Sequence, residues 1–241
     1  MKITILAASL VAATCAAAPV LAADCPHRAD RQASIDVAGA RSVRVESGSG
    51  ELRIEGRDGA SRVEARGTAC ASDQGVLDRI RIATSREGDV VVVRAEIPER
   101  ASSWSWHEQA RLDLTVLVPR TLALKVQDGS GSAEIRNVGA LSVDDGSGDL
   151  TVADVAGDVF IEDGSGSLEL HGVTGNVRLR DGSGSIDVRE VSGSVTVEGD
   201  GSGSIDVSAV KGNFTVAHDG SGGISHRQVA GEVRIPDHKN R

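Results

Sequence analysis

The chain has 241 residues, a net charge of −9 from 26 Lys and Arg against 35 Asp and Glu, 29 glycines and only 2% aromatic residues. No basic stripe of the kind that holds nucleic acid or anionic lipid is present, which argues against both as partners. Abundant glycine with few aromatics points to tight turns around a narrow aliphatic core, and few windows beyond the first residues hold a helical period.

Residues 1–22 carry Lys2 as their only charge, an apolar run from Ile3 to Ala18, and the small-residue segment Val20-Leu21-Ala22. This pattern is a secretory signal peptide, too short and wrongly flanked to stay as a membrane span. Cys15 follows Ala12-Ala13-Thr14, a poor match to a lipobox. No later run is long enough to cross a bilayer, and no C-terminal set of barrel strands follows. The expected product is exported to the periplasm or beyond. Without Lys2 it holds 25 basic and 35 acidic residues, a net −10.

Residues 23–33 read as an N-terminal extension with an unstructured start. Cys25 and Cys70 are then the two remaining cysteines, an even pair in an oxidising compartment, and are expected to form a disulfide in preference to two buried thiols.

Strand alternation starts at Ile35 and Val37 and continues through Val43, Val45, Leu52 and Ile54, with Ser47-Gly48-Ser49-Gly50 between. Residues 34–127 are predicted to form irregular β-helix coils, wider or paired, that cap a regular array. Within them, residues 98–109 form a polar projecting loop with Trp104, Trp106 and His107. The two rings either cover an open core end or contact a sugar or protein ligand.

From residue 128 to 235 the tetrapeptide Asp-Gly-Ser-Gly occurs six times, at Asp128, Asp145, Asp163, Asp181, Asp200 and Asp219, with spacings of 17, 18, 18, 19 and 19. The first five are each followed by two apolar i, i+2 pairs, such as Ile186 with Val188 and Val195 with Val197, and all six by a second glycine, such as Gly193. Two short strands per fixed period of about 18 residues, too few to fold alone, predict a parallel β-helix with coils about 4.8 Å apart. The fold class is therefore all-β, a solenoid too narrow to hold a ligand inside. His226 stands where Val188 and Val207 stand in earlier coils, as suits a terminal coil, and residues 236–241 form a charged tail.

The aspartates are expected to cap their own turns. Side by side in water they repel by roughly 0.9 kcal/mol per pair, less than the roughly 1.5–3 kcal/mol of a hydrogen bond to a charged acceptor. The rival reading is a calcium-stabilised repeat, with the six aspartates as metal candidates; the calcium β-roll motif, however, sets its Asp one place earlier. No cofactor is expected. Outward residues form charged columns, Glu134, Glu169, Asp187 and Asp206 beside Arg136, Arg189 and Arg227. No P-loop, metalloprotease or nucleophile-elbow motif is present. A carbohydrate-active β-helix enzyme, lyase or glycosidase, is the catalytic alternative, but coils this short leave no loops to wall a cleft.

The repeat Asp128-Gly-Ser-Gly with its apolar-x-apolar-x-x-Val-x-Gly-x-apolar-x-apolar sequel resembles the bacterial putative-adhesin domain family of unknown function. It is similar as well to the head domains of putative auto-transporter adhesins, and the run Val116-Leu117-Val118-Pro119 fits the same pattern. The resemblance spans roughly Ser34 to Ile235. It implies an exported β-helical protein of the cell envelope. With the catalytic motifs and cleft loops missing, the expected function is a non-catalytic, adhesin-like binding or scaffold module that uses its outer faces, with an envelope or extracellular partner, glycan or protein. The resemblance brings no site residues with it.

Overall fold

The computed structural model describes residues 25–98 and 109–236. The expected signal peptide 1–22, the predicted loop residues Trp104, Trp106 and His107, and residues 237–241 of the expected tail lie outside the described residues. The first half contains β1 (His27–Asp36), β2 (Ser42–Glu46), β3 (Leu52–Arg57), β4 (Arg62–Ala71), the short helix α1 (Gln74–Leu77), β5 (Arg81–Glu87), β6 (Val90–Glu96) and β7 (Ala110–Pro119). Next come β8 (Ala123–Asp128), β9 (Ala133–Arg136), β10 (Leu141–Asp145), β11 (Leu150–Val155), β12 (Val159–Asp163) and β13 (Gly166–Val173). The last are β14 (Val177–Asp181), β15 (Gly184–Val191), β16 (Val195–Asp200), β17 (Gly203–Val210), β18 (Phe214–Val216), β19 (Gly222–Val229) and β20 (Val233–Arg234).

Two ten-stranded sheets face each other. The first runs β1-β4-β7-β3-β9-β11-β13-β15-β17-β19, and the second β20-β18-β16-β14-β12-β10-β8-β2-β6-β5. From β8 onward every pairing is parallel and, one bulge aside, in register, so a residue sits on its equivalent one coil away: Leu141 on Val159, Val159 on Val177, Val177 on Val195. This is a β-solenoid. Alternation sends Val, Leu and Ile inward from both sheets into one core, where Leu52, Ile135, Ile161, Leu170, Leu179 and Val197 are all at most 1% exposed. Each such side chain contributes roughly 1.5–3 kcal/mol when fully buried.

The longer coils keep this register through a bulge. Leu179 pairs with Val197 but Arg180 with Gly199, so one residue is looped out and Asp200 still lands on Asp181.

The N-terminal half departs from a simple succession of coils. β2 lies between β6 and β8, and β3 between β7 and β9. The first coil in sequence is thus sandwiched inside the stack, and the chain passes it twice. Beyond it the pairing turns antiparallel: β1 on β4, β4 on β7, β5 on β6. These strands, with α1, close that end over a second small core of Ala69, Ala71, Val76, Leu77, Ile80 and Leu112. Residues 27–36, most of which sequence reading left without structure, form the edge strand β1. Their alternating half-buried and exposed pattern and their many charges suit an edge, where they discourage further pairing. Cys25 and Cys70 form a disulfide, with Cα atoms 5.8 Å apart, and Arg31 ties β1 to α1 by donating to the carbonyls of Leu77 and Ile80 at 2.9 and 2.7 Å.

Candidate functional site

The aspartates of the six Asp-Gly-Ser-Gly turns are not surface caps. Asp128, Asp145, Asp163 and Asp181 each end a strand on the inward phase of its alternation, two residues after a core side chain, as Asp145 follows Val143; Asp200 ends β16 three residues after Val197, and Asp219 lies beyond β18. Asp128, Asp145, Asp163, Asp181 and Asp200 are consequently 3–7% exposed. Register stacks them directly: Asp128 under Asp145, then Asp163, Asp181 and Asp200, with Asp219 bridging below Asp200. Ser47 continues the column at its other end, because Glu46 pairs with Gln127. The result is a column of carboxyls inside one corner of the rod.

Hydrogen bonds do not satisfy it. Of the ten oxygens of the five buried carboxyls, nine have no partner. The tenth, Asp163 Oδ1, accepts from Ser165 N–H at 3.1 Å. Elsewhere the turn amides, such as those of Gly146 and Ser147 near Asp145, favour the charged form without reaching hydrogen-bond geometry. Neighbouring charges 4.8 Å apart at an effective dielectric near 20 repel by roughly 3–4 kcal/mol, several times the figure for water. Turn capping therefore does not outweigh repulsion here, contrary to the expectation from sequence. Burial, and then the carboxylates on either side, push Asp145 and Asp181 up to about 7. Burial likewise raises Asp128, Asp163 and Asp200. As metal ligands the six form a line: among the described residues no three His, Cys, Asp or Glu side chains gather around one point.

The glycine corners show why the repeat tolerates nothing larger. Gly184 has φ +147°, and a Cβ there would lie 1.6 Å from the carbonyl oxygen of Gly166 in the adjacent coil. At the opposite corner a Cβ on Gly193 would meet Gly175 O at 2.4 Å. Beside that corner a second ladder joins successive coils. Asn176 N–H donates to Asp158 at 2.7 Å, Ser194 N–H to Asn176 at 3.0 Å, Asn213 N–H to Ser194 at 3.0 Å and Glu232 N–H to Asn213 at 2.8 Å.

Outside, the predicted columns on the first sheet are in place. Glu134, Thr151, Glu169, Asp187 and Asp206 share one register line, and Arg136, Ala153, His171, Arg189 and Ser208 the next but one. Arg189 pairs with Asp187 at 2.7 Å, and Arg136 with Glu134.

The outer face of the second sheet differs, and sequence reading missed it. One register line there carries Lys125, Ser142, Phe160, Arg178 and Thr196 and holds no acid. It floors an open trough of about 610 Å³ edged by Asp158, Asn176 and Ser194. Phe160 is half-buried there and lines the trough. Arg178 is held by Glu198 at 3.0 Å. The sequence signal was present, since Phe160 sits between two inward residues, but it passes for one more core residue unless register is known. A second hollow of about 670 Å³ near Asp30, Arg53, Arg66 and Asp113 is walled mainly by charged groups and lacks an aromatic.

At the exposed last coil His226 lies under Val207 and against the ring of Phe214, with centroids 6.1 Å apart. There it partly shields the core end.

No family model matches the chain, and no curated protein matches it. Solved structures are similar to it along most of its length. A putative cell adhesion protein from Clostridium sporogenes ATCC 15579 is 12% identical with a TM-score of 0.44, covering 86% of this chain and 99% of that one. A putative adhesin from Parabacteroides merdae ATCC 43184 is 9% identical with a TM-score of 0.44, covering 88% and 97%. A putative lipid binding protein from Parabacteroides distasonis ATCC 8503 is 12% identical with a TM-score of 0.35, covering 86% and 97%. Likeness at this level assigns no function.

Proposed function

We propose that this is an exported, non-catalytic envelope protein that binds a saccharide on the outer face of its second sheet. The observation that carries this is the trough around Phe160. The half-buried ring of Phe160, lined alongside by Ser142, Thr196, Ser194 and Lys125, offers a sugar ring both an aromatic contact and hydrogen-bonding groups. The core is filled with aliphatic side chains, which leaves outer surfaces for recognition. Export is supported by the composition of residues 1–22 and by the Cys25–Cys70 disulfide, which belongs in an oxidising compartment.

Immobilised glycans and isolated envelope fractions test the reading. The expected result is retention of the full chain on a glycan, lost about tenfold in Phe160→Ser, roughly the 1–1.5 kcal/mol of one stacking contact, with thermal stability unchanged. Release of reducing sugar, or equal retention of the variant, overturns it.

A further inference from the structure

We propose that the buried aspartate column is a proton-binding site, in which carboxylic acids alternate with carboxylates and each acid donates its O–H to the carboxylate of the next coil. The geometry requires some neutralising partner. Five carboxyls stand in register inside one corner, and nine of their ten oxygens have no donor. Two ionised carboxylates are acceptors only and cannot satisfy each other, whereas an acid beside a carboxylate forms a short, charge-assisted O–H···O⁻ bond. Register sets Asp181 beside Asp200, and Asp200 beside Asp219, at the spacing of adjacent strands.

Among the described residues, the groups facing the column supply no positive charge. On the inward phase of β8, β10, β12, β14 and β16 its companions are Val126, Val143, Ile161, Leu179 and Val197. On the turn side are the amides of the Gly-Ser-Gly segments, and at the far end the hydroxyl of Ser47. The charged residues one position earlier, Asp144, Glu162 and Arg180, lie on the outward phase, and Arg180 is spent on Glu162 and Glu198 at 2.8 and 2.7 Å. His218, beside Asp219, has its Nδ1 3.2 Å from the backbone carbonyl of Glu198. Protons from solvent are thus the neutralising species that this corner accommodates, and the rod tightens when the column takes them up. At the column itself this is a pH-responsive coupling between successive coils.

The test is a ¹³Cγ-aspartate NMR titration of the full chain, with Asp145→Asn as the partner variant. The expected result is that two or more carboxyl resonances keep the acid form at pH 6, where an ordinary aspartate is over 99% ionised. In Asp145→Asn fewer protons are taken up between pH 8 and pH 5, and the melting temperature at pH 8 rises above that of the parent. Complete ionisation of every aspartate by pH 5 overturns the proposal. So does a rise in melting temperature on adding millimolar Ca²⁺ at pH 8 with a matching shift of the column's resonances, since a cation would then be the partner. Should Asp145→Asn not fold, the titration of the parent decides alone.

Discussion

Gly184 shows how little freedom single positions have. Its φ of +147° excludes ordinary side chains, and the carbonyl oxygen of Gly166 occupies the place of a Cβ. Gly184→Ala is expected to cost roughly 3 kcal/mol or more, the sum of strain and overpacking. Gly199→Ala, where no atom lies within 4 Å of the added carbon, should be close to neutral. Urea unfolding of the two variants checks this, and equal losses would contradict the stacking of the corners. The glycine positions were legible in sequence, although positive φ is only half the reason for them; the other half is the approach of neighbouring coils. The burial of Asp145 was not legible. Its neighbour Asp144 has the same chemistry and faces solvent, so strand phase alone separates a surface carboxylate from a buried one.

At the scale of elements, the array after β8 was readable because its period repeats core positions, and in-register parallel pairing then fixes every contact. The N-terminal half was not, because its order in space differs from its order in sequence. Nothing local in Ser42–Glu46 says that it pairs with both β6 and β8, and β1 has too few apolar residues to announce a strand. The register Ser49 to Ser130 gives a direct check. Parallel neighbours stand about 4.8 Å apart, within reach of a disulfide. The double variant Ser49→Cys/Ser130→Cys is expected to cross-link on mild oxidation despite the 81 positions between them (130 − 49). A failure to cross-link, while Ser130→Cys/Ser147→Cys succeeds, would remove the first coil from the middle of the stack.

For the whole molecule, the aspartate column couples stability to pH. Asp145 and Asp181 are raised from 3.8 to about 7 by burial and by their neighbours, so they hold their protons more tightly in the folded state. Their stabilising contribution is fully present below about 4 and is lost as pH rises through about 7. Glu46 acts in the opposite sense. Arg94 holds it below the usual carboxylate range, so its contribution is present above about 4.5 and fades in stronger acid. Stability should therefore peak on the mildly acidic side of neutrality. The most direct measurement is the urea midpoint of the full, disulfide-bonded chain at pH 5 and at pH 8. The account predicts a higher midpoint at pH 5, with the gap narrowed in Asp145→Asn; an equal or higher midpoint at pH 8 would contradict it.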